Sequence, residues 1–123
     1  MKEADKEAQV YFDRGLTAFN AKQYAPAITD FKKVTEMNPK SYTSFENIGM
    51  SYFALNQPAE ALGYFDQVIR MNAATDGKSE FFKAMCLSQT GRKAEACPFL
   101  RAASAKGYKD AAVYMKDICG RQQ

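Results

Sequence analysis

Apolar and small residues recur at helical spacing along most of the chain. Between Phe45 and Tyr52 they stand at i, i+3, i+4 and i+7, which places them on one face of a helix. A second run from Ala61 to Ile69 has similar spacing. Pro58 lies in the turn between the runs and suits the start of the second helix, because that position needs no backbone donor. No segment alternates apolar and polar residues for long enough to predict a strand, so the pattern predicts helix–turn–helix pairs.

The helix pair occurs more than once. Residues repeat at a spacing of 34 positions, and the matched pairs are Gly15 with Gly49, Phe19 with Phe53, Ala27 with Ala61, Phe31 with Phe65, and Val34 with Val68. A third, weaker copy lies one residue out of register and is anchored by residues 91–96. We therefore predict one domain over residues 1–123, with copies at about 8–41, 42–75 and 77–110 and a capping helix at about 109–119.

The repeated positions resemble the tetratricopeptide repeat, a helix–turn–helix unit of about 34 residues. The matching residues are Tyr11, Gly15, Ala27, Phe31 and Pro39 in the first copy, and Phe45, Ile48, Gly49, Tyr52, Ala61 and Phe65 in the second. The resemblance implies an all-α, right-handed solenoid of about three repeats with a C-terminal capping helix. Residues 105–112 also resemble the helix-joining segment of Sel1-like repeats, a close relative.

Four residues depart from the family pattern in ways that bear on the fold. Arg14 and Ala18 stand in the first copy where a leucine and a tyrosine are usual, and Ala73 replaces the proline of the second copy. Pro98 falls inside the second helix of the third copy, where it removes a backbone donor. We expect Pro98 to bend that helix or to delay its start.

Small residues recur where paired helices would approach most closely. They are Gly15, Ala27, Gly49, Ala61, Ala84 and Ala96. A larger side chain at any of these positions would push the helices apart, so we expect the set to be structural. Phe31 and Phe65 are expected to fill the space between one helix pair and the next.

The first helix of each copy carries a second apolar stripe. Its positions are Phe12, Leu16 and Phe19 in the first copy, Glu46, Met50 and Phe53 in the second, and Phe81, Met85 and Ser88 in the third, with Phe82 beside them. In the family this face lines the concave surface where partner peptides lie, so the resemblance implies a partner-binding groove. Aromatic and methionine side chains suit an adaptable binding surface. The alternative is that the stripe is core, or that the capping helix or the N-terminal residues cover it.

The family's carboxylate clamp, which grips the C-terminal tails of heat-shock chaperones, is incomplete here. Lys and Asn on the first helix, Asn on the third, and Lys and Arg on the fifth would form it. The corresponding residues are Phe12, Leu16, Asn47, Lys78 and Phe82, of which only Asn47 and Lys78 fit. A carboxylate would therefore lose most of its charge-assisted bonds, and chaperone tails are disfavoured as partners. Asn47 stays a candidate for bonding a ligand backbone, and Lys78 joins it in the predicted groove.

Composition argues against several kinds of site. The chain has no histidine and three cysteines, which removes His-dependent triads and leaves a poor zinc ligand set. No glycine motif for nucleotide binding occurs. We therefore expect no enzyme activity, metal or cofactor. Glu46 and Asp13 are interpreted as solvated acids, and Cys86 as a small buried hydrophobe. Cys97 and Cys119 could form a disulfide if their helices are antiparallel neighbours with Cα atoms within about 7 Å.

The charge distribution bears on partners and compartment. A net charge of +3 is too small for a typical nucleic-acid binder, and RNA binding is disfavoured. Basic residues concentrate from Arg92 onward, which indicates either a solvated face or a docking patch for an acidic partner. No apolar run is long enough to span a membrane. We expect a cytoplasmic protein, or a periplasmic or secreted one if a signal peptide has been removed.

The sequence thus predicts a non-enzymatic adaptor that holds a partner peptide or helix in an apolar concave groove. The alternative is a structural or oligomerisation module whose groove is buried by another copy or by another domain of a longer chain. A monomer in solution would favour the adaptor, and a stable dimer would favour the module.

Overall fold

The computed structural model describes residues 3–120, which form seven α-helices and no strand. The helices are α1 Glu3–Asn20, α2 Tyr24–Met37, α3 Tyr42–Ala54, α4 Pro58–Met71, α5 Lys78–Gln89, α6 Lys93–Ala105 and α7 Lys109–Cys119. The all-α class predicted from the sequence is therefore confirmed.

The helices are stacked in chain order. Each helix packs against the next one along the chain, and the first helices of successive pairs also touch, α1 with α3, α3 with α5, and α5 with α7. No more distant pair of helices is in contact within the described part of the chain. Contacts limited to neighbouring units define a helical-repeat solenoid.

Small residues bring the paired helices together, as predicted. A Cβ atom built on Gly15 would lie 3.0 Å from the ring of Phe31, and one built on Gly49 would lie 3.0 Å from the ring of Phe65. Both rings are fully buried, so a glycine opposite each phenylalanine lets α1 approach α2 and lets α3 approach α4. The remaining members of the predicted set, Ala27, Ala61, Ala84 and Ala96, are also fully buried.

The turns inside the three pairs have the same backbone geometry. Lys22, Asn56 and Gly91 all have positive φ, at 61°, 62° and 80°. The residue after each of them donates its backbone N–H to the carbonyl five residues earlier, with N···O distances of 2.7–2.9 Å. This bond satisfies a carbonyl at the end of the first helix and sends the chain back as the second helix. Lys22 is the unusual member, because a left-handed backbone is costly for a residue with a long side chain.

Pro98 does not delay the start of α6, so that part of the expectation is wrong. The helix begins at Lys93, five residues earlier, and continues to Ala105. Pro98 lies on the exposed face, as does Ala94, whose carbonyl the missing N–H would have bonded. Water can therefore reach the carbonyl that the proline leaves unpaired, and the helix tolerates the residue.

The departures of the first copy lie on an end face of the stack. The corresponding residues of α3 are Ile48, which is fully buried, and Tyr52, which contacts α2 by accepting a hydrogen bond of 3.0 Å from Lys32. In α1 the leucine position is occupied by Arg14, which donates from Nε and Nη2 to the two carboxylate oxygens of Asp30 at 2.9 and 2.7 Å. In α1 an ion-paired arginine thus occupies the position that an apolar residue occupies in α3, where another helix packs on it.

Candidate partner-binding groove

We call the nine predicted groove residues the first-helix stripe. They are Phe12, Leu16, Phe19, Asn47, Met50, Phe53, Lys78, Phe81 and Met85. All of them lie on α1, α3 or α5, and all except Phe81 are half-buried. The stripe is therefore neither fully exposed nor enclosed in the core.

The α1 part of the stripe rests on the core of its own repeat. The ring of Phe12 meets the ring of Phe31 edge-on, with centroids 5.7 Å apart, and Phe19 meets Tyr24 at 5.6 Å. Leu16 packs against the same cluster of buried residues. One side of each side chain is thus anchored, and the other side retains access to solvent.

The middle of the stripe continues into the third repeat through aromatic contacts. Phe53 meets Phe82 edge-on at 5.3 Å, and Phe82 stacks on Phe65 at 5.6 Å. Met50 and Phe53 pack against the same buried cluster. Phe53 is therefore fixed in orientation by a neighbouring ring, although it remains half-buried.

The stripe closes at its C-terminal end, and Phe81 is the one member whose predicted accessibility is wrong. It is 6% exposed because Tyr108 and Tyr114 lie against its ring, with centroid separations of 4.9 and 5.7 Å. Both tyrosines belong to α7 or to the residue before it. The alternative that the capping helix covers the stripe therefore holds for Phe81.

The interpretation of Glu46 as a solvated acid is also wrong, because its side chain is buried. Its exposure is 7%, and its Oε2 accepts a hydrogen bond of 2.8 Å from the hydroxyl of Ser79 on α5. Burial raises the pKa of Glu46, while the hydrogen bond from Ser79 and the charge of Lys78 act against that rise. The sequence held a signal for this burial, since Glu46 stands 34 residues after Phe12 and 35 before Phe81. Asp13 is exposed, as expected.

The two clamp-like polar residues do not converge on a built anion site. Asn47 is half-buried, and its backbone carbonyl accepts a hydrogen bond of 2.8 Å from Ser51. Lys78 is half-buried at the start of α5, close enough to Glu46 for its charge to act on that carboxyl. The other clamp positions hold the packed apolar side chains of Phe12, Leu16 and Phe82.

A depression of about 290 Å³ borders the α1 end of the stripe, and sequence reasoning missed it. Its polar lining comes from three elements, with Asp5 and Gln9 on α1, Asn38 at the end of α2, and Thr43 on α3. Phe12 forms part of the same wall. The depression adds hydrogen-bonding groups to the edge of an otherwise apolar surface.

The cysteines divide into one pair and one buried thiol. Cys97 on α6 and Cys119 at the end of α7 have Cα atoms 5.1 Å apart, within the separation expected, and the structure joins them in a disulfide. Cys86 is fully buried, and burial raises the pKa of its thiol to about 12. Such a thiol is a packing residue and a poor nucleophile.

Metal clusters and membrane spans are both absent from residues 3–120. These residues contain no group of three or more Cys, Asp or Glu side chains arranged to hold a metal ion. None of their helices is long and apolar enough to cross a membrane.

Comparison with known families agrees with this geometry. A model of the tetratricopeptide repeat family matches residues 12–73 and again residues 46–111. The two matches together cover most of the chain. The chain therefore belongs to the tetratricopeptide repeat family. No curated protein sequence matches it.

Solved structures share the fold at low sequence identity. The chain superposes on MamA with a TM-score of 0.82 and 19% identity, over 90% of this chain and 61% of MamA, so it spans less than two thirds of that chain. It also superposes on the Yersinia enterocolitica type III secretion chaperone SycD in complex with a peptide of the translocator YopD (TM-score 0.85, 19% identity, 97% and 96% of the two chains). A third is the first tetratricopeptide domain of Spaghetti bound to an HSP90 peptide (TM-score 0.85, 18% identity, 93% and 91%).

Proposed function

We propose that this domain is a non-enzymatic adaptor that binds a peptide or helix of a partner protein along the first-helix stripe. The observation that carries the proposal is the half-buried state of Phe12, Leu16, Phe19, Met50 and Phe53 on α1 and α3. Each is anchored on one side by the core and open on the other. Apolar side chains held in this way form a preorganised surface, because little further ordering is needed on binding. Spaghetti and SycD, which share the fold, are each bound to a peptide, and this supports peptide binding as the function.

The partner segment is apolar rather than a chaperone tail. Phe12, Leu16 and Phe82 replace the polar and cationic groups that would grip a terminal carboxylate. These side chains offer dispersion and hydrophobic contact but no charge-assisted bond. The depression beside Gln9 and Thr43 adds a polar edge that would bond the backbone of such a segment.

The chemistry of the chain supports a binding role over a catalytic one. It holds no histidine, and the thiol of Cys86 is buried with a raised pKa. The hydroxyl of Ser79 donates to the carboxyl of Glu46, but both side chains are buried, so a substrate cannot reach this pair. The redox state of Cys97 and Cys119 would follow the compartment, oxidised in a periplasmic or secreted setting and reduced in the cytoplasm.

The test combines a selected peptide with a variant of Phe53. Random short peptides displayed on phage are selected on the wild-type domain, and the best binder is titrated by fluorescence anisotropy. Phe53→Ala should weaken its binding by about 2 kcal/mol or more, because Phe53 is the fixed aromatic at the middle of the stripe. Leu55→Ala is the matched control, since Leu55 is an exposed apolar residue just beyond the same helix.

Thermal melting of the same variants separates binding from folding. Phe53→Ala should lower stability by less than the roughly 3–5 kcal/mol typical of a fully buried phenylalanine. A stability loss of roughly 3–5 kcal/mol, with no loss of peptide affinity in the folded variant, would refute the groove as a binding site and favour the structural module. A stable dimer of the wild type whose interface covers the stripe would do the same.

A further inference from the structure

Helix α7 has one face that is open to solvent along its length. Val113 is 70% exposed, and it lies two residues from both Ala111 and Met115, roughly 160° away from each around the helix. Ala111 is fully buried, and Met115 packs against the core formed by α5 and α6. Val113 therefore points away from the rest of the stack.

Charges of opposite sign lie along the two sides of Val113. Asp110 and Asp117 stand at i−3 and i+4 from it and form an acidic row on one side. Lys109 and Lys116 stand at i−4 and i+3 and form a basic row on the other side. All four side chains are exposed. We call these five residues the α7 face, and it is neither acidic nor basic as a whole.

The four charges of the α7 face have no ionic partner within the described chain. None of them takes part in a salt bridge of residues 3–120. No lysine of the face stands three or four residues from either aspartate, so the two rows cannot pair with each other along the helix. Arg121, four residues after Asp117, lies outside the described residues. The rows are therefore available to an oppositely charged surface.

A second copy of the same helix has the complementary pattern. When two copies of α7 lie side by side and run in the same direction, the acidic row of each faces the basic row of the other. Asp110 then meets Lys109 of the second copy, Asp117 meets Lys116, and two-fold symmetry repeats both pairs. Copies that run in opposite directions would place acid against acid and lysine against lysine, which opposes docking. The charge pattern thus selects a second copy in the parallel arrangement.

We propose that the α7 face is a self-association surface, through which two copies of the chain form a parallel two-fold dimer with Val113 against Val113 at its centre. The dimer goes beyond peptide binding and does not depend on it. One valine and the aliphatic stems of the lysines bury little area, so the dimer is weak and transient. Exposed ion pairs add little affinity, but they fix the orientation of the two helices.

Such a dimer leaves the first-helix stripe open. Helix α7 contacts α5 and α6 but neither α1 nor α3. Because Val113 lies opposite the buried face of α7, the two solenoids extend away from each other. The stripe residues of α1 and α3 are therefore not covered by the second copy. A dimer carries two grooves, which raises its avidity for a partner that presents two copies of the bound segment.

The other strongly exposed valine, Val10 on α1, suits this role less well. It is 62% exposed. Its neighbours at the same four spacings are Lys6, Glu7, Asp13 and Arg14. Arg14 is already paired with Asp30, and Asp13 accepts a hydrogen bond of 2.8 Å from Gln9. Each side of Val10 carries one charge of each sign, so half of its contacts with the single-sign rows of α7 would be repulsive.

Charge exchange tests the α7 face in the full chain with its disulfide intact. Asp110→Lys/Asp117→Lys makes both rows basic, and Lys109→Asp/Lys116→Asp makes both rows acidic. In sedimentation equilibrium at about 50 mM salt, the dimer Kd of each variant alone should rise by about tenfold or more over the wild type. An equimolar mixture of the two variants should restore association. The differences should shrink at about 500 mM salt.

Matched controls separate the local effect from net charge and from folding. Glu36→Lys/Glu60→Lys makes the same charge change as the basic variant at exposed sites on α2 and α4, and should leave the dimer Kd within about twofold. Mixed with Lys109→Asp/Lys116→Asp, it should not rescue the association of that variant, although the net charges equal those of the rescuing mixture. Circular dichroism checks that every variant stays folded.

Cross-linking locates the interface. Val113→Cys treated with a short bismaleimide should join two copies, because the two side chains face each other in the dimer. Val10→Cys is the matched control at a similarly exposed site on α1, and should stay monomeric. Cys86 is buried and Cys97 is bonded to Cys119, so the introduced thiol is the reactive one.

Three outcomes would overturn the proposal. They are charge variants that associate as well as the wild type, a Val113→Cys protein that cross-links no more than Val10→Cys, and a dimer that cross-links through Val10→Cys instead. Phe53→Ala distinguishes the dimer from the proposed function, since it should weaken peptide binding and leave the dimer intact. A dimer lost on Phe53→Ala would place the interface on the groove and overturn the α7 face. Peptide binding that fails while the dimer forms would overturn the groove alone.

Discussion

Replacing Gly49 by alanine tests the close approach of α3 and α4. Alanine favours a helix over glycine by about 1 kcal/mol, so helix propensity alone predicts a more stable protein. The added Cβ, however, would lie 3.0 Å from two ring carbons of Phe65 and 3.2 Å from a third. Phe65 is fully buried, so its ring cannot move out into solvent to relieve the contact. Overpacking of this kind costs roughly 1–3 kcal/mol, and we expect a net loss of about 1 kcal/mol.

Gly63→Ala is the matched control for that prediction. Gly63 lies within α4, and a Cβ built on it meets no atom within 4 Å. The substitution should therefore stabilise the domain by about 1 kcal/mol. Urea denaturation of both variants, with the disulfide intact, should place their unfolding free energies about 2 kcal/mol apart. That difference isolates the contact with Phe65, because the change in propensity is the same.

A second substitution should relieve the crowding. The third repeat has Ala84 and Leu100 where the second has Gly49 and Phe65, and both are fully buried in one cluster. Gly49→Ala/Phe65→Leu copies that arrangement, since the smaller leucine makes room for the methyl group. The double variant should be more stable than the sum of the single changes predicts, by about 1 kcal/mol. Additive changes, or a Gly49→Ala variant as stable as Gly63→Ala, would refute the reasoning.

Two other changes test the disulfide and the buried acid. Cys119→Ser, or reduction of the wild type, should lower the free energy of unfolding by about 3 kcal/mol, because the bond closes a loop with a sequence separation of 22; equal urea midpoints with and without reductant would contradict this. The raised pKa of Glu46 means that its contribution to stability is complete below its unfolded pKa of about 4.3 and is lost as pH rises through the folded value. Glu46→Gln cannot ionise and keeps an acceptor for Ser79. The variant should therefore be more stable than the wild type at about pH 7 and equally stable below about pH 4. A stability gain of the same size at both pH values would exclude ionisation as the cause.

The periodicity of the sequence predicted the helices correctly, but it did not predict every buried position. The 34-residue spacing predicted the small residues at which helices meet, because packing of neighbouring helices requires them wherever the unit recurs. The burial of Glu46 escaped prediction because a carboxylate normally stays in water. Its stabilising partner, Ser79, lies 33 residues away on another helix. The start of α6 was misjudged because tolerance of Pro98 depends on which face of the helix reaches solvent, and that is a property of the stack.

The groove could be placed on the first helices from the sequence, but its accessibility could not. Phe81 has the same register as Phe12, yet Tyr108 and Tyr114 bury Phe81, whereas Phe12 stays half-buried. That difference depends on where α7 packs, which no repeat spacing specifies. The repeat bounds 8–41, 42–75 and 77–110 and the Sel1-like resemblance of residues 105–112 stay predictions.

The disulfide has a physical role that follows from the position of α7 in the repeat. In the first two repeats the first helix packs both on its own second helix, through Gly15 or Gly49, and on a neighbouring repeat. Helix α7 has Lys116 at the position of Ala84, and Lys116 is exposed, so within residues 3–120 no second helix packs on it. Its contacts with α5 and α6 are the attachments that remain, and Cys97–Cys119 makes one of them covalent. The bond therefore adds a covalent attachment to the packing of Ala111, Met115 and Ile118, which alone would hold α7 after reduction.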